Sequence, residues 1–217
     1  GNDRPGVMLA SAAERYASEF GVLPGENIAV ITNNDSAYRA AAALRQAGAS
    51  IAAIVDVRPD ISTAARGLAA QTGAELLLGY AVVETEGGKA LTGIKVRRVD
   101  RVSGALSGEP RLVAADCLAM SGGWSPVVHL ASQAGGKPEW DAQLQAFLPP
   151  SPTQDWVGAG AFTGAADTET AIAEGRNAGE NATGAKASRA RGAKVFAPAL
   201  DPHPAPYREI RAEGKAF

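Results

Sequence analysis

Cysteine and histidine are almost absent from this sequence. Its 217 residues include one cysteine, Cys117, and two histidines, His129 and His203. A single cysteine excludes an internal disulfide and any metal site built from cysteines, and it is typical of a reducing compartment such as the cytoplasm. Two histidines leave little material for a multi-histidine metal site or a histidine-activated nucleophile. We therefore predict no metal site, and we interpret Cys117 as a small buried residue on a strand.

The sequence also lacks long apolar runs and an excess of charge of one sign. The net charge of −2 comes from 21 basic and 23 acidic residues spread along the chain. No basic stripe is present to neutralise phosphates, and no run reaches the roughly 20 apolar residues that cross a bilayer, so nucleic acid and membrane partners are not expected. The chain begins with glycine, shows no export leader and finishes in a proline-rich stretch, which favours a piece of a longer protein.

Hydrophobic periodicity predicts an α/β fold. Three segments have helical spacing, near residues 8–20, 36–48 and 61–73, and the apolar segments NIAVIT, SIAAIVDV and AELLLGY follow them as strands. The order β-α-β-α-β indicates a Rossmann-like parallel sheet. From Ala81 onward the period becomes alternating, which predicts an antiparallel β-meander with the strands AVVETEG, ALTGIKVRRV and RLVAADCLAM.

The turn after the first of these strands lacks the glycines of a dinucleotide-binding unit. Such a turn normally carries G-x-G-x-x-G, because the backbone must approach a pyrophosphate closely. Here Thr32, Asn34 and Ala37 occupy the corresponding positions. Asp56, at the tip of the next strand, has the spacing of a ribose-binding acid. Without the glycines we favour an ordinary strand-terminal aspartate, in a unit that has kept the fold and lost the ligand.

A second turn, VGAGAFTG, has the missing glycines. The pattern predicts that Val157 ends a strand, that Gly158, Gly160 and Gly164 permit the turn, and that a helix begins near Asp167. Glycine turns of this kind cradle phosphate or ribose groups, but they also occur for packing alone. The glycine- and tryptophan-rich block SGGWSPVVHLASQAGGKPEWD, which follows a predicted strand end, is a second place for ligand contacts. His129, in this block, stays open between a catalytic base and a packing residue.

Four stretches together resemble one known family. They are GNDRPGVMLASAAERY, ITNNDSAYRAA, CLAMSGGWSPVVHLASQAGGKPEWD and VGAGAFTGAADTETAIAEGRNAG. In order, they resemble the alpha subunit of the heterotetrameric sarcosine oxidases, within the glutathione-reductase-like flavoproteins that carry two FAD/NAD(P)-binding domains. The resemblance implies three parts: an inserted second dinucleotide-binding-like domain at 1–118, a returning part of the primary dinucleotide-binding domain at 119–185, and a proline-rich connecting segment at 186–217.

The resemblance also implies an activity for the complete complex. That complex oxidises sarcosine to glycine with oxygen, and tetrahydrofolate accepts the one-carbon unit. It is built from alpha, beta, gamma and delta subunits and carries FAD, FMN and NAD, with NAD in the alpha subunit. On this basis the present chain is a central fragment that is inactive alone. Relatives place an aspartate in the second turn to hold a ribose or ribityl hydroxyl, whereas this chain has Ala159.

We predict dinucleotide contacts but name no catalytic residue. The first set lies in the second turn: Gly158, Ala159, Gly160, Phe162 and Thr163. The second set follows the preceding strand: Gly122, Gly123 and Trp124. Two other functions stay open. One is the alpha subunit of a related amine, opine or proline dehydrogenase, and the other is a non-catalytic docking module with a degenerate nucleotide fold.

Overall fold

The structure, a computed structural model, describes residues 3–100, 102–184, 200, 204–205 and 210. The chain divides into two units, one of residues 1–123 with 199–217 and one of residues 124–198. Most of the expected connecting segment at 186–217, including His203, lies outside the described residues. The division falls five residues beyond the end of the domain that the sequence predicts at 1–118.

The described elements follow one another in the order of the chain. In the first unit they are β1 Val7–Leu9, α1 Ala10–Phe20, β2 Asn27–Thr32, α2 Ser36–Gln46, β3 Ser50–Asp56, α3 Thr63–Thr72, β4 Glu75–Leu78, β5 Tyr80–Glu86, β6 Gly93–Val99, β7 Leu106–Ala114 and β8 Cys117–Ser121. In the second unit they are α4 His129–Gln133, β9 Glu139–Asp141, β10 Ala146–Leu148, a 3-10 turn at Gly160–Thr163 and α5 Thr168–Thr183.

A five-stranded parallel sheet forms the centre of the first unit. Its strand order is β1-β8-β2-β3-β4, and the meander β5-β6-β7 forms a separate antiparallel sheet. One face of the parallel sheet packs on residues of α1, α2 and α3, with Ile28, Val30 and Ile54 in that layer. The other face places Ala29 and Val55 in a second apolar cluster with the meander. Because both faces are covered, the strands are apolar almost throughout rather than alternating.

The sequence-based prediction of the third meander strand was wrong in part. RLVAADCLAM is not one strand: β7 ends at Ala114, and β8 begins at Cys117 and runs parallel between β1 and β2. Asp116 fixes this change of sheet, because its carboxylate accepts hydrogen bonds of 2.9 Å from the backbone N–H groups of both Glu26 and Asn27. Cys117 is fully buried on the strand, as the sequence predicts, and burial raises the pKa of its thiol to about 11.

Helix boundaries in the described chain follow from local chemistry. Ser62 caps α3 by accepting a hydrogen bond of 3.0 Å from the N–H of Ala65, and Asp167 caps α5 with a bond of 2.8 Å from Thr170. Helix α1 ends at Gly21, whose φ of 64° lies in the left-handed region that glycine adopts without strain. The predicted start of α5 near Asp167 is thereby confirmed.

The second unit contains less regular structure than the pattern predicts. Val157 does not end a strand, because the chain from 157 to 159 has no ladder partner and leads directly into the 3-10 turn. The short strands β9 and β10 pair as an antiparallel hairpin, and Trp140 and Phe147 pack edge-to-face across it with ring centroids 5.1 Å apart. His129, at the start of α4, is exposed.

The described residues contain neither a candidate membrane-spanning helix nor a candidate metal cluster. Among them, no helix combines the length and the apolar character that a membrane crossing needs. In the same part of the chain, histidine, cysteine and carboxylate side chains do not gather in threes around a possible metal position.

A substitution at Gly25 tests how tightly β8 packs against the chain just before β2. An added Cβ at Gly25 would collide with the Asp116 carboxylate and lie 2.7 Å from Cβ of Cys117. We expect Gly25→Ala to lower the free energy of unfolding by about 1–3 kcal/mol through this overpacking. Urea unfolding of the chain followed by circular dichroism measures the change.

Gly67→Ala is the matched control for that substitution. Gly67 lies in α3, is exposed, and has no heavy atom within 4 Å of an added Cβ. Replacing a helical glycine by alanine should raise the free energy of unfolding by about 0.5–1 kcal/mol. Equal effects of the two substitutions would contradict the packing assigned to Gly25.

Candidate functional site

The carboxyl ends of β2, β3 and β8 meet at one edge of the parallel sheet, where open α/β sheets bind their ligands. In this chain the edge is filled by polar side chains of the protein itself. Asp35, Tyr38 and Asp56 are fully buried, and the Arg58 side chain is 12% exposed. We call Asn34, Asp35, Tyr38, Asp56 and Arg58 the strand-end network.

Arg58 links two buried carboxylates in this network. Its backbone N–H and its Nε donate to Oδ1 of Asp56 at 2.9 and 3.0 Å, and its NH2 nitrogen donates to Oδ2 at 2.7 Å. The same NH2 nitrogen lies 2.8 Å from Oδ1 of Asp35. Burial alone would lower the pKa of Arg58, but the hydrogen bonds and charges of Asp56 and Asp35 outweigh it and raise the pKa. Arg58 is therefore a cation at neutral pH.

Tyr38 completes the coordination of Asp56. Its hydroxyl donates a hydrogen bond of 2.8 Å to Oδ2 of Asp56. Burial raises the pKa of Tyr38 strongly, and the negative charge of Asp56 raises it further, so the hydroxyl stays a donor. Both oxygens of Asp56 are thus occupied within the protein. This agrees with the interpretation of Asp56 as a structural aspartate rather than a ribose ligand.

Asn34 supplies from its own side chain an oxygen that accepts a hydrogen bond from the first amide of α2. Its Oδ1 accepts hydrogen bonds from the backbone N–H of Ser36, at 3.0 Å, and from the Ser36 hydroxyl, at 2.5 Å. The N–H of Ser36 begins α2, so a side-chain oxygen satisfies one of the helix amides that bind anions in such folds. Ala37 is 1% exposed and allows the helix to pack closely on the strand.

Pro204 and Ala205 lie against two residues near the same edge. The N–H of Ala205 donates to the backbone oxygen of Asn33 at 2.9 Å. Pro204 lies against Gly123, where an added Cβ would come within 2.9 Å of the proline ring, whereas an added Cβ at Gly122 would meet nothing within 4 Å. Of the second predicted set, Gly122 and Gly123 therefore belong to the first unit, and Trp124 begins the second.

A dinucleotide does not fit the residues at this edge. Its pyrophosphate would face the carboxylates of Asp35 and Asp56 and would compete with Asn34 for the amide of Ser36. Like charges in a buried place are costly. A ribose would find both oxygens of Asp56 already engaged. We therefore assign the strand-end network a structural role.

The glycine turn, Val157 to Gly164 in the second unit, contains the first predicted set of residues. Gly158 is required by packing, since an added Cβ would collide with the ring of Phe162. Gly160 has a φ of 74°, and Ala159 directly before it is extended. Gly164 has a φ of 91°. Packing and backbone conformation within the turn therefore account for these glycines, and the sequence pattern alone does not reveal this.

Glu174 of α5 closes the glycine turn, a role that sequence reasoning missed. Its Oε2 accepts a hydrogen bond of 2.8 Å from the N–H of Gly160 and lies within hydrogen-bond distance of the Thr163 hydroxyl. A carboxylate fourteen residues away along the chain gives no local signal. The first predicted set lies within this one turn, and the amide of one member, Gly160, already has an anionic partner. Its contact with a dinucleotide stays a prediction.

Trp156, immediately before the turn, supplies a second unusual group. Its ring packs edge-to-face on Phe162 with centroids 5.6 Å apart. Its Nε1 is buried and has no hydrogen-bond acceptor among the described residues. A buried donor without a partner costs about 1–3 kcal/mol, so such groups in proteins are rare and call for an explanation.

Comparison with known proteins gives consistent results. No protein-family model matches the chain. It is 39% identical over 175 residues to the sarcosine oxidase subunit alpha of Rhizobium meliloti (strain 1021), covering 81% of this chain and 16% of that protein. It is also 39% identical over 214 residues to the sarcosine oxidase subunit alpha of Corynebacterium sp. (strain P-1), covering 97% of this chain and 21% of that protein.

Solved structures share the fold. The HOCl-induced flavoprotein disulfide reductase RclA from Escherichia coli superposes with a TM-score of 0.55 at 15% identity, covering 85% of this chain and 41% of that chain. The parallel sheet and the antiparallel sheet thus define the FAD/NAD(P)-binding fold of the flavoprotein oxidoreductases, as predicted. Within this class, the chain belongs to the family of sarcosine oxidase alpha subunits. It spans about a fifth of the length of the curated relatives it matches.

Removing the cation of the strand-end network should be costly. Arg58→Met leaves the buried carboxylates of Asp35 and Asp56 without a counter-charge, and we expect the free energy of unfolding to fall by about 3–5 kcal/mol. Arg66→Met, which breaks an ion pair with Asp60 whose side chains are 49% and 79% exposed, should change it by less than about 1 kcal/mol. Denaturant unfolding of the two variants compares them directly, and similar losses would contradict the assigned role of Arg58.

Proposed function

We propose that this chain is a central segment of the alpha subunit of a cytoplasmic sarcosine oxidase. The complete complex, with its beta, gamma and delta subunits, oxidises sarcosine to glycine with oxygen and passes the one-carbon unit to tetrahydrofolate. The observation that carries this proposal is the 39% identity to two sarcosine oxidase alpha subunits, which in one of them extends over 97% of the chain. The arrangement of the described residues supports different roles for the two units, a scaffold in the first and cofactor contacts in the second.

The first unit is a scaffold that has lost its nucleotide. The closed strand-end network supports this assignment, since Arg58, Tyr38 and Asn34 satisfy inside the protein the groups that a ligand would otherwise contact. The network also agrees with part of the docking-module alternative, in which this unit holds neighbouring parts of the complex together. The two roles are compatible within one subunit.

The second unit contributes to a dinucleotide site, which we assign to NAD. The proposed contacts in this unit are those of the first set, Gly158, Ala159, Gly160, Phe162 and Thr163. For Gly122, Gly123 and Trp124, dinucleotide contact stays a prediction from the sequence. FAD and FMN, bound elsewhere in the complex, supply the redox chemistry of the oxidase. The role of the present residues is to hold a cofactor in place. We assign no catalytic residue to this chain, and exposed His129 has no described partner that would make it a base.

The substrate assignment is tested with the assembled complex. Oxygen uptake should be stimulated by sarcosine far more than by proline or an opine, because the family relation is to sarcosine oxidases. The measurement is made with an oxygen electrode on the complex that contains the full-length alpha subunit. Reduction of an artificial dye with proline or an opine, without oxygen uptake on sarcosine, would instead identify a related dehydrogenase.

The cofactor assignment is tested on the full-length alpha subunit. Addition of NAD should perturb tryptophan emission and raise the midpoint of thermal unfolding, since a ligand that binds only the native state stabilises it. If neither NAD nor FAD changes the emission or the midpoint, the segment is a docking module and the cofactor role is refuted.

A further inference from the structure

Three described residues near the end of the chain pack on the first unit, to which they belong. Leu200 lies half-buried against the apolar cluster between the parallel sheet and helices α1, α2 and α3. The backbone N–H of Ala205 donates a hydrogen bond of 2.9 Å to the backbone oxygen of Asn33, and the ring of Pro204 lies against Gly123. We call Leu200, Pro204 and Ala205 the docked segment.

The contact at Asn33 provides a donor for a buried residue. Asn33 directly follows β2 and is buried, and buried backbone oxygens in proteins are almost always hydrogen-bonded. Ala205 stands between Pro204 and Pro206 in the sequence. Because proline has no N–H, the amide of Ala205 is the single backbone donor of these three residues. That donor is the one that Asn33 accepts.

The contact at Gly123 depends on the absence of a side chain. An added Cβ would lie 2.9 Å from both Cβ and Cγ of Pro204. The φ of Gly123 is 109°, which also favours glycine. At Gly122, one residue earlier, an added Cβ would meet nothing within 4 Å. The close approach of the proline ring is therefore particular to Gly123.

Both contacts follow the carboxyl ends of β2 and β8, which are neighbouring parallel strands. Open α/β sheets bind their ligands at this edge. Pro204 and Ala205 are uncharged, so they bring no negative charge to an edge that already contains the buried carboxylates of Asp35 and Asp56. Prolines also restrict the free chain, which lowers the entropy that a peptide loses when it docks.

We propose that the carboxyl edge of β2 and β8 is a peptide-binding surface whose resident partner is the docked segment of the same chain. The segment takes up this edge in place of a nucleotide. It also ties the proline-rich connecting segment, expected at 186–217, to the first unit. This inference goes beyond the proposed function, because it depends neither on sarcosine as the substrate nor on NAD in the second unit.

Hydrogen exchange of the Ala205 amide in the full-length alpha subunit tests the inference. The amide exchanges when the segment detaches, and mass spectrometry with fragmentation resolves it because Pro204 and Pro206 carry no amide hydrogen. Gly123→Ala should accelerate the exchange by about tenfold or more, since the added methyl group displaces the Pro204 ring. Thermal unfolding establishes that each variant is folded.

Two further alanine substitutions are matched controls. Gly48→Ala imposes similar backbone strain, at a φ of 107°, where an added Cβ meets nothing within 4 Å. Gly122→Ala adds the same methyl group beside Gly123 but in open space. Both should leave the exchange of Ala205 within about twofold of the wild-type rate. If Gly48→Ala accelerates it as much as Gly123→Ala does, backbone strain explains the effect and the inference is overturned.

Pro204→Ala tests the same contact from the side of the segment. It leaves Gly123 and its backbone unchanged, so it decides the question even where Gly123→Ala does not fold. Loss of the ring contact should accelerate the exchange of Ala205 about fivefold. Exchange at the wild-type rate in Pro204→Ala would show that the ring does not hold the segment at the edge, which contradicts the inference.

Addition of NAD separates the inference from the proposed cofactor role. Millimolar NAD should leave the exchange of Ala205 in the wild-type subunit unchanged, because the segment is the resident partner of this edge. Faster exchange would mean that the nucleotide displaces the segment, which overturns the inference and moves the NAD site to the first unit. A subunit that binds no NAD but responds to Gly123→Ala and Pro204→Ala as expected would refute the cofactor role and support the inference.

Discussion

The first unit depends on one buried cation, the guanidinium of Arg58. Two carboxylates, Asp35 after β2 and Asp56 at the end of β3, lie fully buried on either side of it. A buried carboxylate without a counter-charge is strongly unfavourable, so the turn after β2 and the tip of β3 hold their positions only together. Such a network adds little net stability compared with apolar packing. Its effect is to fix the strand-end geometry without a ligand.

The same physical requirement is met by a nucleotide in other dinucleotide-binding folds. The first amides of the helix need acceptors, and phosphate oxygens provide them where glycines leave the backbone open. In this chain Asn34 provides the oxygen from its own side chain. A turn rich in asparagine and aspartate is therefore not a damaged glycine turn. It replaces an interaction with a ligand by one inside the protein, and the fold persists because its helix amides and carboxylates remain satisfied.

The sequence predicted the elements better than their partners. Apolar periodicity located α1, α2, α3 and the strands β2, β3 and β4. The loss of the glycines predicted a structural role for Asp56, whose two carboxylate oxygens accept hydrogen bonds from Tyr38 and Arg58. The pattern misplaced β8, because the residues of a parallel strand buried on both faces can also be read as the end of a meander. It also missed Arg58 and Glu174, because charged residues near a turn look the same whether they are solvated or hold a buried partner. Their roles depend on contacts that pattern does not encode.

The spacing of the glycines gave the least information about ligand binding in the candidate site. Gly158 makes room for the ring of Phe162, and Gly160 and Gly164 adopt left-handed φ angles. Packing and backbone conformation therefore explain a spacing that otherwise suggests a phosphate-binding turn. The two turns of this chain then follow one rule: each has a backbone amide near a helix start that is taken by a side-chain oxygen, from Asn34 in the first and from Glu174 in the second. In each turn, therefore, one backbone amide that could meet a phosphate oxygen is already satisfied inside the protein.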